Sequence, residues 1–345
     1  MPNPRLRAAG ALAIVLSACA SAAGPPSAGS SQPAGQGDGT ITVYSGRSEE
    51  LVGPLLEQFT EATGIKVEAR YGDTAEMANL ILTEGENSPA DVFFAQDAGA
   101  LGAVAAEGLL TELPPEILDR VDSRFRSPAG QWVGVSGRAR VVAYNTDALT
   151  EADLPDSIFG FTDPAWSGRI GWAPTNGSFQ SFVTALRVIE GEDRAREWLE
   201  GIQANDPNVY DGNAAALEAV AAGEIDVAFI NHYYLFQRLA EDPETQAANY
   251  FLGGGDPGAL VNVAGAGILG TAPNPDGAAA LIDYLLAEEA QTYFADETYE
   301  YPLIEGVEAD AALPALSEIG TPEIDLSNLA DLEGTLELLQ EVGIL

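Results

Sequence analysis

The stretch from Ile225 to Ala240, IDVAFINHYYLFQRLA, joins two hydrophobic patterns end to end. Ile225-Asp226-Val227-Ala228-Phe229-Ile230 is a short apolar run that reads as a buried strand, and Leu235-Phe236-Gln237-Arg238-Leu239-Ala240 opens like a helix. Between them stand Asn231, His232, Tyr233 and Tyr234. Two adjacent phenols, an amide and the only histidine of the chain therefore fall at a strand's carboxyl end, where open α/β sheets place their ligands. The same two aromatics would also serve a core, with one hydroxyl satisfied by a neighbour.

The strand-then-helix rhythm extends in both directions. Thr40 to Ser45 alternates like a strand, and Glu49 to Thr63 carries Leu51, Val52, Leu55, Leu56 and Phe59 at helical spacing, with Gly64 placed to cap it. A strand at Ile65 to Arg70, a helix from Gly72-Asp73-Thr74 to Glu84, a strand at Asp91 to Phe94 and a helix over Gly99 to Glu107 continue the pattern. Such alternation specifies a parallel sheet with helices on both faces. Near Trp132 to Val135 the rhythm changes, and Arg138 to Tyr144 reads as one longer strand able to pass between two lobes. Arg169 to Trp172 reads as a strand, and Phe179 to Glu190, Asp193 to Ala204 and Ala214 to Ala222 as helices. Leu260 to Gly265 is expected to cross back, the helical Gly277 to Asp296 to complete the first lobe, and Glu318 to Leu345 to supply a C-terminal helix with its approach. The expected fold is α/β with two lobes joined by two crossing hinge strands. Residues 40–137 and 266–305 form the N-terminal lobe, and residues 138–265 and 306–345 the C-terminal lobe carrying the tyrosine pair.

Ahead of these lobes, Arg5 and Arg7 precede the apolar stretch Ala8 to Leu16 and then Leu16-Ser17-Ala18-Cys19. Residues 1–19 thus read as a secretory signal ending at a lipoprotein box, with Cys19 the acylated residue. Residues 20–39 are small, Pro/Gly/Ser-rich and almost uncharged, which is a tether composition. Cys19 is the only cysteine, so no internal disulfide is expected. The net charge of −38, from 53 acidic and 15 basic residues, argues against a nucleic-acid or anionic-membrane partner, since both are polyanions. Contact with the membrane is expected through the lipid anchor only, on the outer face of the cell membrane, with the protein a monomer.

Enzyme signatures are missing. There is no H-E-x-x-H, no G-x-S-x-G and no P-loop, and one histidine cannot build a His-rich zinc site. The paired phenols suggest a different chemistry. Phenolate oxygens are hard and basic, and a trivalent cation such as Fe³⁺ displaces their protons despite a reference pKa of about 10. Softer divalent metals prefer imidazole or thiolate.

Several stretches, taken in order, resemble the bacterial ferric-ion-binding proteins of iron ABC transporters, which have the type II periplasmic-binding-protein fold. They are Val43 to Arg47, Gly85 to Phe94, Ser136 to Asn145, Gly223 to Asp226, Asn231 to Tyr234, Gly253 to Leu260 and Glu300 to Leu303. The resemblance implies that Tyr233 and Tyr234 ligate iron and that Tyr144 matches a third tyrosine found in some members. In the first lobe, Ser48 and Glu49 replace a histidine and a tyrosine of the family, and a ligating glutamate aligns with Gln96, beside Asp97. Glu49, Gln96 and Asp97 are therefore the first-lobe candidates. An exogenous carbonate or phosphate completes the coordination in the family, and Arg47, Ser136, Gly137, Arg138, Asn176 and Asn231 match the anion-contacting positions. A guanidinium's planar fork suits that task. The implied function is a lipid-anchored extracytoplasmic protein, not an enzyme, that captures Fe³⁺ with a synergistic anion and delivers it to an ABC permease. The alternative is a solute-binding lipoprotein of the same build for an organic or oxyanion ligand.

Overall fold

The computed structural model describes residues 39–345. The leader, the Cys19 lipoprotein box and all but the last residue of the tether lie outside the described residues. Within the first half, β1 (Thr40–Ser45), α1 (Glu49–Thr63), β2 (Lys66–Tyr71), α2 (Thr74–Glu84), β3 (Val92–Ala95), α3 (Ala98–Ala106) and α4 (Pro115–Leu118) lead to the long β4 (Val133–Asn145). Next come β5 (Ile170–Trp172), α5 (Gly177–Glu190), α6 (Glu192–Ala204), β6 (Asn208–Val209), α7 (Asn213–Ala221), β7 (Val227–Asn231), α8 (Tyr233–Glu241) and β8 (Ala247–Tyr250). The chain ends with β9 (Val261–Ile268), α9 (Pro275–Leu285), α10 (Glu288–Glu297), β10 (Tyr301–Pro302) and α11 (Leu332–Glu341). Among the described residues no helix is long and apolar enough to cross a membrane.

The strands form one sheet in the order β2-β1-β3-β9-β4-β7-β5-β6, with β8 and β10 also pairing with β4. β1, β2 and β3 are mutually parallel, as are β5, β6 and β7. The antiparallel strands β9 and β4 lie between these two parallel sets. β4 is the shared element. Its first half pairs with β9 up to Ala139, and from Arg140 onward it pairs with β7. The helices follow from apolar spacing and their caps. α1 buries Val52, Leu55, Leu56 and Phe59 on one side and stops at Gly64, whose φ of 77° is the left-handed conformation that glycine tolerates best.

The apolar side chains form three clusters. The first surrounds β1, β2, β3 and the start of β4. Successive residues of β4 then point to opposite faces, so Val142 and Tyr144 join the second cluster while Val141 and Ala143 join the third. The C-terminal segment divides. Leu313, Ile319, Leu326 and Leu329 pack in the first cluster, whereas Leu338 and Leu339 of α11 pack in the second. Assigning residues 306–345 wholly to the second lobe thus differs from the packing.

The helix expected over Gly277 to Asp296 is two helices. Ala287 adopts an extended ψ of 156°, and the buried Gln291 amide donates to the Leu285 carbonyl at 2.8 Å, satisfying a group released by the break. Leu303 N–H closes the arrangement by donating to Gln291 Oε1 at 2.7 Å.

Phe229 is the central ring of the second cluster, 5.4 Å from Phe161 and 5.7 Å from Trp198 between centroids. Phe229→Ala is expected to lower the unfolding free energy by about 3–5 kcal/mol. Urea unfolding checks this; a loss below about 1 kcal/mol would mean that the cluster is not packed as described.

Candidate metal centre

β7 ends at Asn231, directly opposite Arg140 of β4, and α8 begins at Tyr233. His232 forms the corner. Its backbone N–H donates to Ala139 O at 3.0 Å, and its Nδ1 accepts from Ala139 N–H at 3.1 Å. Because Nδ1 accepts, the ring proton resides on Nε2 and is donated to Tyr299 O at 2.8 Å. Burial pulls the imidazole pKa down to about 4, so the ring is neutral and its role is to fix the corner. Tyr233 and Tyr234 then stack with centroids 4.4 Å apart and planes at 27°. Tyr233 is buried, and its phenol pKa is pushed well above the ordinary value by burial and by Tyr234, with Arg138 opposing. A neutral-pH solution leaves this phenol protonated, so its oxygen becomes a strong donor only to a cation able to displace the proton.

Three guanidinium groups surround this corner, and they differ in how they are matched. Arg47, in the loop after β1, is 1% exposed and makes a two-pronged contact with Glu300, Nη1 to Oε1 at 2.9 Å and Nη2 to Oε2 at 3.0 Å. Ser136 Oγ donates to the same carboxylate at 2.7 Å. Arg138 is 3% exposed, its Nε lies 4.0 Å from Glu300 Oε1, and that nitrogen makes no hydrogen bond among the described residues. Arg140 is 4% exposed and, among the described residues, faces no carboxylate in an ion pair. Its Nη2 donates to Phe229 O at 2.6 Å, and Nη1 lies 3.5 Å from both Asn231 Oδ1 and Ser178 Oγ. The guanidinium also stands over the rings of Phe179 and Phe182. Burial without a counter-charge pulls its pKa down to about 9.

A cleft of about 950 Å³ opens on this group, lined by Gln96, Asp97, Arg138, Arg140, Asn176 and Asn231 among others. Asn176 caps α5 by accepting from Ser178 N–H at 3.0 Å. Asn213 Nδ2 donates to Ser178 Oγ at 3.0 Å, while its own buried Oδ1 has no partner among the described residues. On the opposite wall Thr74 joins two loops, donating to Gly46 O at 3.2 Å and accepting from Gln96 N–H at 3.0 Å. A Cβ on Gly46 would lie 2.7 Å from Thr74 Cα, so only glycine permits that approach. Asp97 caps α3 through Ala100 N–H at 3.0 Å, and burial raises its carboxyl pKa. Tyr233 and Tyr234 do not line the cleft; Asn231, two residues before Tyr233, is the lining residue nearest to them in the chain.

The sequence-derived candidates are thus unevenly gathered. Arg138, Asn176, Asn231, Gln96 and Asp97 meet at the cleft, with Tyr233 and Tyr234 at the adjoining corner. Arg47 and Ser136 are committed to Glu300. Gly137 pairs with Tyr301 and packs against it. Glu49 is exposed on the first turn of α1, near Tyr71, and lines no part of the cleft. Tyr144 is not brought to the tyrosine pair. It pairs with Val227, at the start of β7 and not its end, and lies about 13 Å beyond Arg140 along β4, among the second apolar cluster. Arg140, Ser178, Asn213 and Glu300 were not singled out from sequence. Arg140 had one signal, since it shares a strand face with Arg138 at a spacing of two. Among the described residues no group of three His, Cys, Asp or Glu side chains could hold a metal ion.

Two parallel strand sets whose carboxyl ends meet over a charged cleft, joined through one continuous strand, define a binding protein for a small charged ligand. A family model for bacterial extracellular solute-binding proteins matches residues 87–323, and the chain belongs to that family. The major ferric iron-binding protein of Neisseria meningitidis serogroup B is 35% identical over 308 residues, covering 88% of this chain and 93% of that protein. The structure of iron-bound HitA from Pseudomonas aeruginosa matches with a TM-score of 0.83 at 36% identity, covering 88% of this chain and 99% of that one. A Trichodesmium protein (IdiA, FutA) in complex with iron and citrate matches with a TM-score of 0.78 at 30% identity, covering 88% and 99%. The fold is the type II periplasmic-binding-protein fold, as the sequence led us to expect, and none of these names is that of an enzyme.

The Glu300 carboxyl is held below the usual range. Burial alone would raise its pKa, and Arg47, Arg138 and the Ser136 hydroxyl more than reverse that. A depressed carboxyl contributes stability above the unfolded-state pKa, 4.5 for glutamate, and loses it as pH falls through the folded value. The difference in unfolding free energy between wild type and Arg47→Gln/Glu300→Gln should therefore narrow as acid is added below about pH 4.5. A difference that stays constant across that range would contradict this assignment.

Proposed function

We propose that this protein captures ferric iron on the phenolates of Tyr233 and Tyr234, with an exogenous anion seated on Arg138, Arg140, Asn176 and Asn231. One observation carries the reading: two stacked phenols adjoin two buried guanidinium groups that lack a full internal counter-charge. A trivalent cation brings the charge that ionises the phenols, and the anion neutralises the guanidinium groups, so each component removes the obstacle to binding the other. The names of the relatives, ferric iron-binding protein and iron-bound HitA, support the same cargo.

Gln96 and Asp97, on the facing wall, are the first-lobe groups within the same cleft, and closure of the two lobes about β4 and the Leu260 crossing would bring them onto the metal. The first lobe boundary lies near 137/138 in this reading; on the return crossing Leu260, Val261, Val263 and Ala264 already pack in the first cluster, which moves the second boundary back from 265/266 to about Leu260, and residues 306–330 move with the first lobe. Tyr144 is a core tyrosine in this reading, and Arg47 is a structural partner of Glu300. The protein would hand its iron to an ABC permease while anchored outside the cell membrane through Cys19. Protons compete with iron for both phenols, so acid favours release. A cleft of about 950 Å³ has room for more than carbonate or phosphate, which favours a second version in which an organic polycarboxylate accompanies the metal. The citrate in the Trichodesmium structure is an anion of that class.

Ferric iron added to the apo-protein with phosphate, carbonate or citrate should give a visible charge-transfer band that persists after desalting. Tyr233→Phe and Tyr234→Phe should each weaken it, Tyr144→Phe should leave it unchanged, and Arg140→Met should raise the anion concentration needed by at least about tenfold. A colourless protein retaining no iron would exclude the metal reading, and a thermal shift with an oxyanion or organic solute in that same protein would then favour the solute-binding alternative.

A further inference from the structure

Glu300 lines no part of the cleft and is not part of the binding set above, yet it contacts Arg47 and Ser136 and lies 4.0 Å from Arg138. It is 2% exposed and directly precedes β10, whose Tyr301 and Pro302 pair with Gly137 and Ser136 of β4. That register holds the carboxylate beside Arg138 from the first-cluster side. The preceding residue, Tyr299, has a φ of 57°, rare for a non-glycine side chain, and its carbonyl receives the His232 Nε2 proton. One short segment thus touches the hinge strand with one residue and the tyrosine corner with its neighbour.

The charges near this point are unequal. Arg47, Arg138 and Arg140 are each at least 96% buried, and Glu300 is the one carboxylate among the described residues that forms an ion pair with any of them. Asp97 also acts on Arg138, but its carboxylate is committed to the cap of α3. We infer that Glu300 is a built-in counter-anion. It fills the guanidinium fork of Arg47, screens Arg138, and so decides how much exogenous negative charge the site takes up. This inference rests on the anion-assisted reading of the cleft, and it makes Glu300 a specificity-determining residue and not a metal ligand. Three of its acceptor positions are already used, by the two Arg47 prongs and Ser136. With the carboxylate neutralised, Arg47 and Arg138 would both seek an anion, and the site would load one before any metal arrived.

The test uses the full metal-free chain, inorganic phosphate as the probe and calorimetry as the readout. Glu300→Gln should bind phosphate at least about tenfold more tightly than wild type, or bind measurably where wild type does not. Affinity equal to or below that of wild type overturns the inference. Breaking a buried pair can prevent folding, so Arg47→Gln/Glu300→Gln, which leaves neither partner charged, carries the same test. Its phosphate affinity should stay within about threefold of wild type, whereas a loss of more than about tenfold would show that Arg47 holds the exogenous anion itself and would overturn the counter-anion role. Iron loading of wild type is followed separately by visible absorption. Failure to load would remove the metal reading and leave the phosphate comparison intact.

Discussion

Two guanidinium groups occupy the middle of a strand that is buried from end to end. β4 has no exposed residue over its thirteen positions, and Arg138 and Arg140 share one of its faces at the point where its pairing passes from β9 to β7. An unmatched ion in such a place costs about several kcal/mol, and mobile solvent cannot repay it. The surroundings are arranged around that cost. The Phe229 carbonyl, the Asn231 amide oxygen and two aromatic faces partly satisfy Arg140, and Glu300 partly satisfies Arg138. What is left over is an attraction for anions directed at one cleft. The buried Tyr233 phenol beside it keeps its proton at neutral pH until a strong cation displaces it, so the two requirements are complementary.

The strands and helices that build this site were largely legible in the sequence because they follow simple periodicities. Ile225 to Ala240 resolves into β7, the His232 corner and α8, and the run after Arg138 is indeed the strand shared between clusters. Tyr233, Tyr234, Arg138 and Asn231 sit close to where strand ends and matched stretches suggested. The long-range partners were not legible. Glu300 lies more than 250 residues from Arg47, and no local pattern announces that pairing. Tyr144 lies on the expected strand and shares a face with Arg138 and Arg140, but it pairs with Val227, at the other end of β7 from Asn231. The break at Ala287 was hidden because the helical pattern runs through it, and only the buried Gln291 side chain, reaching back to Leu285, accounts for it.

Charge is distributed with economy. The chain carries −38 overall from only 15 basic residues, yet three arginines converge on one buried region. An acidic exterior enriches cations near the surface, while Arg138 and Arg140 give the cleft a basic floor. His232, adjacent to the phenols, is held neutral between Ala139 and Tyr299 and ties the hinge strand to the start of α8.

Resonance Raman spectroscopy of the ferric-loaded protein, excited within its visible absorption band, tests the phenolate assignment most directly. Enhanced tyrosinate ring and iron–oxygen modes that weaken when Tyr233 or Tyr234 is changed to phenylalanine are the expected result. A loaded protein whose spectrum lacks tyrosinate modes would show that the iron is held elsewhere, and the reading of the tyrosine corner as the metal centre would be wrong.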